Sequence, residues 1–221
     1  MIPELSWMDF CLGFIYLFLI YLVAFIYKNA KIEKDIDYRY FMYGLSAKLL
    51  GGIGFLLLSL YYWKAGDTFT YFQGAEGLTK LLYQDPAEGI KVLSRSSKNM
   101  NWYRYEFAND LHGFLRGTDT FFSVKVTAVI NLFCFNSFIA STIVFSSISF
   151  LGVWNMYFVF CKIYPNLKKQ LLLAFFFIPS IILWGSGILK DTITIAAIGW
   201  LIYGFVNIPI CNCCNCYRCI R

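Results

Sequence analysis

Residues 126–161 read VTAVINLFCFNSFIASTIVFSSISFLGVWNMYFVFC, 36 residues without a charged side chain. A helix rises about 1.5 Å per residue and needs about 20 mostly apolar residues to cross a bilayer core. The run is too long for one crossing and short for two with a turn. Asn131, Asn136 and Ser137 interrupt its first half, and no Pro or Gly pair marks a hairpin. The reading is a juxtamembrane amphipathic helix near residues 120–134, then one span near residues 138–161. A tight hairpin, giving six spans, is the alternative.

Four further apolar stretches flank this run. Residues 10–27, 171–189 and 192–217 carry no charge over most or all of their length, and 44–63 carries only Lys48, placed to snorkel near the cytoplasmic end. Of the 221 residues, 59% are hydrophobic, 20% aromatic and 14% charged, and the mean hydropathy is +0.59. A soluble domain carries about 25% charged residues, so this composition excludes a disordered chain, a coiled coil and an ordinary soluble enzyme. In hydrocarbon every backbone N–H and C=O is paired internally, so the stretches read as helices. The short alternating strands of an outer-membrane barrel are absent from the sequence. The expected fold is an all-α polytopic transmembrane bundle of about five spans with one helical extracytoplasmic loop.

Charge orients the bundle. The segment 28–48, the loop 162–169 and the tail carry ten basic residues against Glu33, Asp35 and Asp37, while the rest is nearly neutral. Basic residues collect on cytoplasmic loops, so the N-terminus is expected outside and the C-terminus in the cytoplasm of an inner (plasma) membrane. The first stretch lacks a basic n-region and a following small-residue cleavage site, so it reads as an anchor rather than a removed signal. The expected organisation is two spans in 1–63, the outer loop in 64–125, three spans in 126–210 and a Cys-rich cytoplasmic tail in 211–221. No basic stripe interleaves with exposed aromatics, so nucleic acid is not an expected partner.

The chain has eight Cys, five of them in the tail sequence CNCCNCYRC (residues 211–219). No specific role, acylation and metal binding all remain open for this tail. Cys11, Cys134 and Cys161 read as small apolar packers.

The loop 64–125 holds eight basic and seven acidic residues. Asp67 precedes TFTYFQGAEGLTKLLYQ, an interrupted helical pattern, and Asp85-Pro86-Ala87-Glu88 reads as a capping box that opens a helix running to about Val92–Leu93. Arg104, Glu106, Asp110 and His112 form a further polar cluster. One His supports neither a Ser-His-Asp arrangement nor a His-rich zinc site, so no metal or other cofactor is indicated, a divalent ion being compatible but unsignalled. Gly51, Gly52 and Gly54 lie in an apolar span without the Lys-Ser/Thr of a phosphate loop and read as helix-packing positions. Between the last two stretches, Pro179 kinks the chain, two glycines let it turn, and Lys190 with Asp191 opens the next helix as a candidate interfacial ion pair.

Two segments carry a resemblance: WKAGDTFTYF (residues 63–72) and PSIILWGSGILKD (residues 179–191), with SISFLGVWNMY (residues 147–157) between them. Together they resemble bacterial polytopic membrane proteins related to the GT-C class of glycosyltransferases and the polysaccharide polymerases near it. The chain departs from that pattern in placing its acidic loop after the second span rather than the first. The resemblance implies a lipid-phosphate-linked sugar as donor, an outer-loop acid as base and basic residues that hold phosphate.

Each site residue has a structural reading beside the functional one. Asp67 is the expected general base, or the N-cap of the helix after it. Tyr71 lies one turn on, on the same face. Lys190, with Asp191 beside it, is the expected phosphate contact at a helix start, or an interfacial helix-start pair. Trp184 is a sugar platform or an interfacial anchor, and Arg104 is an accessory phosphate ligand or part of a solvated face. The expected function is transfer of sugar from a polyprenyl-phosphate donor in cell-surface polysaccharide or glycan assembly, with membrane lipid and other membrane proteins as partners. The alternative is a non-catalytic membrane scaffold or subunit, or the remnant of a larger membrane enzyme.

Overall fold

The computed structural model describes residues 5–33, 36–64, 66–101, 104–105, 108 and 115–207. The tail 211–221 and the predicted cluster members Glu106, Asp110 and His112 lie outside the described residues. All regular structure among the described residues is helical. The described residues include nine α-helices: α1 (Trp7–Ile32), α2 (Phe41–Leu57), α3 (Asp67–Gln84), α4 (Pro86–Ser94), α5 (Thr118–Cys134), α6 (Phe138–Ile163), α7 (Lys168–Phe176), α8 (Pro179–Trp184) and α9 (Lys190–Asn207). Among the described residues, three helical segments are long and apolar enough to cross a membrane: Trp7–Ile32, Asp37–Trp63 and Phe138–Ile163.

The long central run divides as its polar residues suggest. α5 ends at Cys134, Phe135 and Asn136 adopt left-handed backbone (φ 52° and 56°), and Ser137 caps α6 by accepting from the Ala140 N–H. Within this pair only α6 is long enough to span, and α5 packs chiefly on α3. The turn is tied to α1. Ser6 and Asp9 form a capping box there, and the second carboxylate oxygen of Asp9 accepts from the Phe138 N–H at 3.0 Å. A single side chain therefore terminates α1 and anchors α6.

α6 is the central post, with α1, α2 and α9 against it. Trp154 of α6, 2% exposed, sits amid aromatic rings, with Phe41 at 5.0 Å and Phe176 at 5.8 Å between centroids. A second apolar core joins α3, α5 and the start of α6 through Phe72, Leu78, Val124 and Phe138. Where α9 crosses α6 the backbones nearly touch: a Cβ on Gly199 would lie 2.0 Å from the Gly152 carbonyl oxygen. Such contact lets apolar helices associate through dispersion alone.

The stretch 171–189, expected as a span kinked at Pro179, is broken outright just before that residue. α7 stops at Phe176, Pro179 starts α8, and residues 185–189 form a turn before α9. Proline lacks an N–H and clashes with the preceding turn, so the helix cannot run through it. The broken segment still tracks α2 in order. Phe176 lies on Gly44, the Ile182 carbonyl on Gly51, the Ser186 carbonyl near Gly52, and Gly187 on Phe55. Gly51 and Gly52 thus serve the packing role read from the sequence.

Lys48 does not snorkel. It is fully buried, and its ammonium donates to the carbonyls of Ile181 (3.0 Å) and Gly185 (2.9 Å). Ser149 donates to the same Gly185 carbonyl at 2.6 Å, and Ser146 to the Ser186 carbonyl at 2.6 Å. The Gly185 and Ser186 carbonyls lie in the turn after α8, and the Ile181 carbonyl already accepts from the Gly185 N–H at 3.2 Å. Lys48 and the two serines of α6 donate to these three carbonyls, which overrides the sequence expectation that the charge would seek the interface.

Candidate functional site

Asp67 is held by an unusual helix exit. Residues Leu58–Trp63 form a π-helical turn, closed where the Lys64 N–H donates to the Ser59 carbonyl at 2.9 Å. Lys64 is left-handed (φ 52°) and Gly66 lies at φ 133°, ψ 170°, a region accessible essentially to glycine. The chain reverses there and α3 begins with Asp67. Gly66, not Asp67, holds the N-cap position, so the expected capping role is not the one observed. The Asp67 side chain is exposed at the head of α3.

One turn on, Tyr71 is 1% exposed. Its hydroxyl points to Asp67 Oδ2 at 3.5 Å, and Lys190 also interacts with it. Burial, then the Asp67 charge, raises the phenol above its ordinary value, so it stays a neutral donor. Lys190, the first residue of α9, donates to Asp119 Oδ2 at 2.8 Å. The hydrogen bond from Lys190 holds the Asp119 carboxyl below its usual range, and the same bond raises the Lys190 ammonium. The structure therefore gathers the heads of three helices: α3 with Asp67 and Tyr71, α5 with Asp119 and α9 with Lys190.

Asp119 is the member that sequence reading passed over. Its signal was an acid in the first turn of α5, which is also what an ordinary helix start looks like. The acid expected beside Lys190 is Asp191, yet adjacent residues on a helix point about 100° apart. Asp191 is exposed and lines a different cavity of about 290 Å³ with Ser180, Trp184 and Thr194. The expected Lys190–Asp191 ion pair is thus replaced by Lys190–Asp119.

Trp184 is about half exposed. It stacks on Trp63 at 6.0 Å with 27° between planes, and its edge meets Phe55 at 5.5 Å. The π-helical turn carries Trp63 to this position. The result is an aromatic ledge whose Trp184 also lines the Asp191 cavity.

Arg104 does not join either group. Its guanidinium lies 3.8 Å from Glu88, which also accepts from Tyr105 at 2.9 Å and Lys91 at 3.2 Å. The Tyr105 hydrogen bond, first among these contacts, lowers the Glu88 carboxyl below its ordinary value. Asp85 caps α4 as read from the sequence, accepting from the Glu88 N–H at 3.1 Å. Glu88, expected to reach back as the second half of the box, is drawn to Tyr105 and the basic side chains instead.

Among the described residues, no three His, Cys, Asp or Glu side chains converge as a metal site. Cys134 and Cys161 are buried packers, whereas Cys11 is exposed on α1. No protein-family model, curated protein or solved structure matches the chain.

Proposed function

We propose that the chain is a multi-pass inner-membrane protein of glycosyltransferase type, moving a sugar from a polyprenyl-phosphate donor in cell-surface polysaccharide or glycan assembly. The observation that carries this reading is that Asp67 and Lys190 both interact with the Tyr71 side chain. Two residues more than a hundred positions apart share one polar neighbourhood, with a carboxylate for a hydroxyl proton and an ammonium for a phosphate. Asp67 acts as the base that takes the proton from the acceptor hydroxyl as the sugar moves to it. Lys190 exchanges Asp119 for the donor phosphate, assisted by the free N–H groups at the start of α9. Tyr71 orients the Asp67 carboxylate, and the Trp184–Trp63 ledge with Asp191 offers a flat apolar face and an acceptor to a sugar ring.

The membrane arrangement follows the charge. α1, α2 and α6 are three crossings, the α7–α8 segment that tracks α2 is a discontinuous fourth, and α9 is the fifth. The N-terminus and the Asp67 group face outward, and the basic end faces the cytoplasm.

A second reading has its own support. The Lys190–Asp119 pair ties α5 to α9, which is what a purely structural contact does, so a non-catalytic scaffold or subunit uses the same residues for stability. One experiment separates the two. Membranes carrying wild-type protein or Asp67→Asn are supplied with polyprenyl-phosphate hexoses, and labelled sugar leaving the lipid is counted. Transfer is expected to fall by about 10²–10⁴-fold with the amount of folded protein unchanged. Unchanged transfer in the variant removes the base assignment, and no transfer by the wild type favours the scaffold.

A further inference from the structure

At the end of α6 opposite the Asp67 group, a cavity of about 180 Å³ opens among Asp37, Phe158, Cys161, Lys162, Pro165 and Lys168. Its walls come from four elements: the short helical turn Ile36–Tyr40, the last two turns of α6, the short turn Pro165–Leu167 and the start of α7. Asp37 is 5% exposed and forms an ion pair with Lys168, so that ammonium is held at the wall. Lys162 stands over the Phe158 ring at 5.9 Å. Among the described residues the lining thus holds two cations and one anion beside Phe158, Cys161 and Pro165.

Its surroundings point to the kind of ligand. Ile163, Tyr164 and Leu167, all within a turn or two of the cavity, are about half exposed, and all follow directly from a helix long and apolar enough to cross a membrane. A cationic recess edged by exposed apolar side chains, at the depth where a span ends, matches a phosphate with acyl chains attached. A soluble phosphate would leave those side chains in water. Basic pockets between helices at this depth are suited to anionic headgroups.

We infer that this recess binds the phosphate headgroup of an anionic phospholipid, with Lys162 and Lys168 as the phosphate ligands. Asp37 positions Lys168 and does not touch the lipid. The site rests on α6 crossing the membrane and is independent of any sugar-transfer chemistry.

The test uses the full chain purified in detergent and titrated with phosphatidylglycerol, phosphatidylcholine of the same chains, or inorganic phosphate. Thermal unfolding and native mass spectrometry are the readouts. Phosphatidylglycerol is expected to raise the unfolding temperature and remain bound, and the other two are not. Lys162→Gln, at an exposed position, weakens the apparent affinity by about fivefold. Lys169→Gln, outside the lining, leaves it unchanged. The double variant Asp37→Asn with Lys168→Gln keeps the recess free of an unpaired buried charge and weakens binding as well. Equal responses to the two lipids, an unaltered response in Lys162→Gln, or a matching response to inorganic phosphate each overturn the assignment.

Discussion

The Lys48 ammonium lies 2.9 Å from the Gly185 carbonyl, joining an α2 side chain to the turn that ends in Lys190. Both groups are buried. A cation facing only carbonyl and hydroxyl oxygens inside an apolar bundle is costly unless those oxygens would otherwise go without partners. Here the turn after Trp184 puts the Gly185 carbonyl outside any helix, and Lys48 donates to it together with Ser149.

Lys48→Met keeps the apolar stem and removes the donor. It removes one donor each from the Ile181 and Gly185 carbonyls, which keep the Gly185 N–H and Ser149 respectively. A hydrogen bond from a charged donor is worth about 1.5–3 kcal/mol. The variant is expected to unfold at lower temperature in detergent. It is also expected to weaken the Lys190–Asp119 contact, seen as faster modification of Lys190 by an amine-reactive probe. An unshifted melting curve contradicts the capping role.

The Lys190–Asp119 pair makes a pH prediction. The Asp119 carboxyl is lowered, so its contribution is present above the ordinary aspartate range of about 3.9 and fades as pH falls through the lower folded value. The Lys190 ammonium is raised, so its contribution is present below the ordinary lysine value of about 10.4 and fades as pH rises through the higher folded value. Wild type and Asp119→Asn should therefore differ by a constant amount across neutral pH. The two melting temperatures are expected to converge only at the acidic and strongly alkaline ends. A difference that changes between pH 6 and 8 would implicate another group.

Gly66→Ala tests the approach to Asp67. A Cβ at this position meets nothing within 4 Å, so the penalty lies in the backbone and not in packing. A non-glycine residue at φ 133° is strained by about 1–3 kcal/mol. The variant is expected to lose stability by that order. If the transfer reading holds, it also loses activity while Asp67 itself is intact. Equal stability would mean that the chain finds another exit from α2.

Much of the fold was legible in local sequence. The polar residues Asn131, Asn136 and Ser137 located the break between α5 and α6, Pro179 located the broken segment, and Asp85 located the start of α4. Each acts through its own backbone neighbours. The site was legible in part: Asp67, Tyr71 and Lys190 were singled out, but their meeting could not be read from spacing, because α3 and α9 are far apart in the chain. Asp119 was hidden because an acid in a first helical turn is commonplace. The place of Lys48 was not legible because nothing local to it reveals the carbonyls of Ile181 and of the turn after α8.

The sequence by itself determined that this is a helical, membrane-compatible chain, since uncharged runs of such length admit few other solutions for their backbone polar groups. Tertiary structure alone decided which charges pair: Lys190 with Asp119 rather than Asp191, and Lys48 with carbonyls rather than the interface. Hydrophobic and helical patterning act over a turn or two, whereas the partner of a charge depends on which helix ends packing brings within about 3 Å.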